Sequence, residues 1–450
     1  MNTFLEGKKI LFACVPVDGH FNPLTGLAKY LQKQGCEIRW YNSIAYADKL
    51  QKLDIFHYPF KRALEVNGKN ITSLFPEIQS KDPVQRSIQY QTHFFAGRAG
   101  EYLEDIREIL QSFDFDLLIT DSMFSAIPLI KPVLNIPVLT IGVLPLLENS
   151  VDTGPYRSGL PPALNGTTRK YYATLYSQEM VTYKDPVDLY DNLLNFYDVP
   201  HTRTSIYNQM IKSADLYLQI GCPQFEYKRS DLGKNVRFIG ALMPYANNEV
   251  KNTWTDPRLE HYTQVVLLTQ GTIERDVNKL LVPTLEALAG TNILVIATTG
   301  GNQTTELRKR FDQPNVIIED HINFDQVLPF ASLYITNGGY GGALQSIRHN
   351  VPMVAAGLHE GKNEVCARIA YFECGIDLKT EYPTSQAIEL AINTVLNNDK
   401  YRLGIAKVNA SLNKFDSLGL CMKYVQQLIL NRELNKSGQS DFTPQSITYK

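Results

Sequence analysis

The chain reads as an α/β protein made of two doubly wound, parallel-sheet domains that face each other across a cleft. Three observations predict this. Short apolar runs alternate with amphipathic stretches through the first hundred residues, the pattern of a parallel sheet covered by helices. A second alternating series begins near Val265. The length, 450 residues, is too great for one ordinary core and suits two.

The elements follow in order. Residues 9–15 form the first strand. Asn22 caps and Pro23 starts a helix in which Leu24, Leu27, Ala28 and Leu31 recur at helical spacing, and Gly35 ends it. Residues 37–41 return as a strand. The runs 117–120 and 138–142 are strands of the same sheet, separated by a segment of crossover length. From 167 to 199 the chain is tyrosine-rich (Tyr171, Tyr172, Tyr176, Tyr183, Tyr190, Tyr197) without a period of two, which predicts irregular helices lining the cleft. Strands at 216–220 and 236–239 precede a polar, proline-bearing linker at 244–258. The second series comprises strands at 265–269, 293–298, 316–318, 333–336 and 353–356, with a helix through 280–288. Helices at 387–396 and 422–431 come last, and residues 437–450 lack apolar periodicity and are expected to be disordered.

Composition narrows the function. With 44 basic and 46 acidic residues and no run of like charge, nothing draws the chain to nucleic acid or a charged membrane surface, so a small-molecule partner is expected. Cys14, Cys36, Cys222, Cys366, Cys374 and Cys421 are scattered, without a CxxC pair, and read as reduced and structural. The N-terminal apolar run contains Pro16 and enters a polar turn, as a buried strand does and a signal peptide does not. The longest apolar region, 124–147, is broken by Lys131, Asn135 and prolines, so no integral membrane segment is expected and the chain reads as cytoplasmic.

The most informative stretch is 333–364. A strand runs into Gly338, Gly339, Gly341 and Gly342, then a short helix, a second strand and a loop bearing Glu360, Lys362 and Glu364. The glycines let backbone N–H groups and a helix N-terminus approach a diphosphate closely, with no metal required. The loop beyond the next strand lies where a sugar would sit, so Tyr340 to Glu364 reads as a sugar-nucleotide half-site. A dinucleotide-binding fingerprint fits less well, because position 344 is Leu where a third glycine is needed. A P-loop at Gly357 fails on spacing and on Asn363 at the magnesium-binding position.

Taken together, the segments VPVDGHFNP at 15–23, Asp121, TQGT at 269–272, ATTG at 297–300, NGGYGG at 337–342 and EGKNE at 360–364 resemble family 1 glycosyltransferases of the GT-B fold, and in particular a bacterial and fungal branch similar to macrolide and flavonoid glycosyltransferases. The resemblance spans most of the chain. It implies an acceptor-binding Rossmann-like domain at 1–243, a nucleotide-sugar-binding one at 259–415, and a helix at 416–436 packing back toward the first domain. The implied reaction is inverting transfer of a sugar, glucose before other sugars, from a UDP- or dTDP-linked donor with UDP favoured, to a hydroxyl of a lipophilic acceptor. No metal or other cofactor is implied.

His20, between a strand end and a helix, corresponds to the family's general base, a role suited to a residue type that exchanges protons near neutral pH. Asp121 would orient it, cap the following segment, or do both. Donor contacts are expected from Gly19, Gln270, Gly271, Thr272, Thr299, His321, Ile322, Asn337, Gly338, Gly339, Tyr340, Gly341, Gly342, Gln345, Glu360, Gly361 and Lys362. Several depart from the family pattern: Asn337 stands for a phosphate-binding histidine, Gln345 for a ribose-binding glutamate, and Gly361-Lys362 for an Asp-Gln pair that reads sugar hydroxyls. Glu360 and Lys362 are either sugar-reading groups or a solvated charged loop. An acceptor wall is expected from Phe21, Phe60, Phe94, Met123, Phe124, Leu144 and Leu146, which suit a flat phenolic or flavonoid aglycone. A nucleotide-sugar epimerase and a non-catalytic sugar-nucleotide binder are the competing readings within this fold.

Overall fold

The computed structural model describes residues 3–67, 70–80, 82–246, 254–271 and 274–437. Thr272, the middle of the expected linker and nearly all of the expected tail lie outside the described residues.

Two all-parallel sheets carry the fold. The first contains β1 (Lys9–Ala13), β2 (Glu37–Asn42), β3 (Phe56–Pro59), β4 (Leu117–Asp121), β5 (Val138–Gly142), β6 (Leu216–Gln219) and β7 (Val236–Phe238), in the order β3-β2-β1-β4-β5-β6-β7. The second contains β8 (Val265–Thr269), β9 (Leu294–Thr298), β10 (Val316–Glu319), β11 (Leu333–Thr336), β12 (Met353–Ala355) and β13 (Gly375–Asp377), in the order β10-β9-β8-β11-β12-β13. Central strands such as β4, β5 and β8 are buried at every position, which is why they appear as unbroken apolar runs rather than alternating ones. In each sheet the chain winds outward for three strands and then reverses, so the winding changes direction between β1 and β4 and between β8 and β11. Ligands bind at such reversals, beyond the carboxyl ends of the strands.

The first helix corrects the sequence expectation. It runs from Asp18 to Lys33 with Val17 as N-cap, so Asn22 is not the cap and Pro23 lies inside. Proline there forfeits the bond to the carbonyl of Gly19, a group in the first turn. The early start puts Phe21 on one face with Leu24, Ala28 and Leu31, all buried, and leaves His20 off that stripe. The tyrosine-rich segment is likewise not irregular: it forms two helices, Gly166–Thr182 and Lys184–Phe196, and its apolar period is blurred because Tyr172 is the only buried residue of the first. The edge strands β3 and β13, four and three residues long, carry no apolar run and were not anticipated.

One core cluster draws on both halves, joining Leu218 and Ile220 to Tyr340, Leu344 and Cys421. All six cysteines are free and buried. The helix Ser417–Lys436 lies against the helix Asp18–Lys33, where the Tyr30 hydroxyl meets Met422 Sδ at 3.8 Å. Further along, Lys8 Nζ pairs with Glu433 at 2.5 Å and Arg432 donates to the Phe115 carbonyl at 2.8 Å. Among the described residues no helix is long and apolar enough to cross a membrane.

Candidate functional site

At the first reversal point, β4 ends on Asp121 and the segment after β1 carries His20. The Asp121 carboxylate is fully buried and accepts three hydrogen bonds: Val15 N–H at 3.0 Å on Oδ1, and Met123 N–H at 2.7 Å and His20 Nδ1 at 2.6 Å on Oδ2. A carboxylate only accepts, so Nδ1 holds a proton, and whenever the ring carries that proton alone Nε2 is a bare acceptor. The imidazole keeps 13% of its surface exposed. Asp121 therefore closes the turn through Met123 and orients His20 at once; the helix beyond begins only at Ile127. Gly19 beside it is exposed, with open space where a Cβ would stand.

At the second reversal point the turns after β8 and β11 are tied together. The Asn337 amide donates to the Gln270 carbonyl, and Gln270 in turn holds its own loop through the Asp276 carbonyl at 3.1 Å. Gly271 and Gly338 have φ of +80° and +91°, values that favour glycine. A Cβ on Gly338 would also lie 2.8 Å from the Lys362 carbonyl. The helix Tyr340–Arg348 starts here, so the N–H groups of Tyr340, Gly341 and Gly342 have no intrahelical acceptor and face outward with the positive end of the dipole. A Cβ on Gly341 would have nothing within 4 Å, whereas one on Gly342 would collide with the Tyr334 hydroxyl. Gln345 is half-buried on the same helix.

The loop after β12 completes this face. Lys362 lines a small cavity together with Gln270, Asn337, Gly357, Lys279 and Glu381. Lys279 bridges Glu274 at 2.7 Å and Glu381 at 2.8 Å, and Glu381 accepts the His359 N–H at 3.0 Å. These contacts pull the Glu381 carboxyl down to about 2, although burial alone would raise it. Glu360 is exposed and pairs with Lys362 at 2.9 Å. Gly361, at φ +80°, lies under the Tyr156 phenol of the first half.

Other expected residues sit differently. Thr299 is buried, and its hydroxyl joins Thr304 at 2.5 Å and the Gly301 N–H at 3.1 Å, so it shapes the β9 turn. His321 is exposed, and Ile322 is partly buried against the core. The Tyr340 side chain leaves the site: its hydroxyl donates to the Ile220 carbonyl at 3.0 Å, so only its backbone faces the cleft. On the acceptor wall, Phe21 and Phe124 belong to the core. Phe21 is 2% exposed between Trp40 and Tyr46, and Phe124 stacks on Tyr102 at 5.0 Å, because the early helix start and the β4 turn rotate both rings inward. Phe94 and Met123 are buried. Leu146 is buried too, with its N–H donating to Glu226 at 3.0 Å. Phe60 and Leu144 are half-buried.

Sequence reasoning missed the polar contacts between the halves beside the site. Arg368, buried, pairs with Glu226 at 2.6 Å and Glu364 at 3.0 Å. Gly159 N–H donates to Glu364 at 2.9 Å and the Asn363 amide to the Arg157 carbonyl at 2.7 Å. The four-residue spacing of Glu364 and Arg368 was the one local signal. Among the described residues no group of three His, Cys, Asp or Glu side chains is placed to hold a metal ion.

Residues 176–414, over half the chain, match the family model described as UDP-glucoronosyl and UDP-glucosyl transferase. The chain is 29% identical to 4'-demethylrebeccamycin synthase of Lentzea aerocolonigenes over 94% of its own length and 100% of that protein's. It is 26% identical to UDP-glycosyltransferase 2 of Phaeomoniella chlamydospora, covering 91% of this chain and 93% of that one. Among solved structures, the glycotransferase of kitacinnamycin superimposes with a TM-score of 0.74 at 16% identity, over 94% of this chain and 100% of that chain.

Proposed function

Because the chain belongs to the UDP-glucoronosyl and UDP-glucosyl transferase family and is a UDP-sugar-dependent glycosyltransferase of the GT-B fold, we propose that it transfers glucose from UDP-glucose, with inversion, to a hydroxyl of a lipophilic small molecule. The observation that carries this reading is the His20–Asp121 pair at the first reversal point, with Nε2 bare in the neutral ring. The acceptor hydroxyl gives its proton to Nε2 while its oxygen attacks the anomeric carbon. The bond from that carbon to the diphosphate oxygen breaks, and the nucleotide leaves with the electron pair. Asp121 stabilises the imidazolium that forms.

Charge developing on the leaving diphosphate meets the N–H groups of Gly341 and Gly342 and the helix N-terminus, a preorganised arrangement that takes the place of a cation. Gln345 would hold a ribose hydroxyl, and Lys362 with Glu360 the sugar. Phe60 and Leu144 offer partly open apolar surface for the aglycone.

The test is mass spectrometry of reactions containing UDP-glucose and phenolic or macrocyclic acceptors, with EDTA and no-acceptor controls. The expected product is a hexosylated acceptor with a β-anomeric proton coupling, formed equally in EDTA. An α-anomer would refute inversion, and donor loss without acceptor would point to epimerisation.

A further inference from the structure

Arg157 lies in the segment after β5, on the same carboxyl edge of the first sheet as His20 and Asp121, where the two halves meet. Its carbonyl is held by Asn363, and the flanking Tyr156 and Gly159 touch Gly361 and Glu364. Its φ is +73°, a left-handed backbone that a non-glycine residue adopts only when its surroundings impose it.

The guanidinium is under-partnered for a half-buried cation. Its one side-chain hydrogen bond among the described residues goes to the neutral Ser87 hydroxyl, and it forms no ion pair there. Arg368 and Arg229, by contrast, are each paired with Glu226. The unpartnered Nε atoms of Arg98, Arg229 and Arg432 are sealed from solvent, while no unpartnered nitrogen of Arg157 is. Burial works against its charge, while the Glu360 carboxylate, and Glu179 once it ionises, favour it at longer range without pairing with it. A planar fork of N–H donors with no anionic partner thus lies beside the loop expected to read the sugar, and a planar anion is its natural complement.

We infer that Arg157 binds a carboxylate of the acceptor, so that the preferred substrate is an acidic lipophile with an apolar body, an anionic end and a hydroxyl directed to His20. This rests on the transferase reading above. The apolar body would lie along the half-buried face near Phe60 and Leu144 while Arg157 fixes its orientation.

The experiment compares kcat/KM for matched acid and methyl-ester acceptors, on hydroxyaryl and hydroxyalkyl skeletons, using wild type, Arg157→Gln, Arg157→Lys and Arg157→Gly. Glycine suits the left-handed backbone, so that variant keeps the fold even if the others do not. Wild type should prefer the acids by about tenfold to a hundredfold, the range for a hydrogen-bonded charge. Arg157→Gln and Arg157→Gly should abolish that preference through KM, and Arg157→Lys should retain only part of it. Equal use of acid and ester by wild type overturns the inference and leaves the transferase reading standing. A parallel arm with UDP-glucuronate and UDP-glucose tests the other source of a carboxylate; a preference for the uronate donor that disappears in Arg157→Gln would move the anion to the sugar and overturn the acceptor assignment. Absence of transfer to every acceptor overturns both readings together.

Discussion

A carboxylate held by three donors cannot turn, and this makes Asp121 more than a charge near His20. An asparagine there would bring an amide N–H against one of those donors and invert the ring's hydrogen bonding. Asp121→Asn and His20→Ala should each cut kcat by about 10²- to 10⁴-fold, with calorimetric affinity for UDP unchanged; normal turnover in either variant would remove the pair from the mechanism. A second residue-scale expectation concerns Glu179, whose carboxyl burial pushes up to about 7, Arg157 opposing in part. A raised carboxylate keeps its proton in the folded state when the unfolded chain has lost it. The fold therefore loses stability as pH climbs from 4.5 to about 7, the ordinary and the folded values for this group. Glu179→Gln removes the penalty: its Tm should exceed that of wild type at pH 8 and match it at pH 4, and the reverse order would show that Glu179 is not held neutral.

Two glycines of one turn separate packing from ligand approach. Gly338 is demanded by its φ and by the Lys362 carbonyl, whereas a methyl on Gly341 would meet open space. Gly341→Ala should leave Tm unchanged or slightly higher, since alanine favours the helix by about 0.5–1 kcal/mol, yet raise KM for the donor; an unaltered KM would show that the diphosphate does not approach there. The loop after β12 is held from below by Glu381 and Lys279. Glu381→Gln weakens that hold, and donor KM should rise about tenfold, as for loss of a charged hydrogen bond, more than kcat falls. At this scale the sequence was most legible where local chemistry repeats: buried strands as apolar runs, glycines at positive φ, and a histidine after a strand. It was least legible where distant segments meet. Lys279 and Glu381 lie 102 positions apart and carry no shared period. Pro23 at an apparent helix start misled for a physical reason, because burying Phe21 outweighs one missing backbone bond.

The halves are joined through a buried ion network as well as apolar packing. Burial would raise the Glu226 carboxyl, but Arg368 and Arg229 hold it below the ordinary range, so its stabilisation is present above pH 4.5 and fades as pH falls through the folded value. Glu226→Gln strands a buried cation and should cost roughly 3–5 kcal/mol, read as a lower urea midpoint at pH 7 that converges with wild type in acid; an unshifted midpoint would show that the network is dispensable. The helix Ser417–Lys436 gives the molecule another property. It covers the outer flank of the helix Asp18–Lys33, nearly four hundred positions earlier. On the ribosome, the helix Asp18–Lys33 therefore waits with an uncovered apolar flank while the hundreds of residues between the two helices are made. Its burial is a late event in vectorial synthesis, and the interval between is when chaperone capture or misassociation of nascent chains would occur.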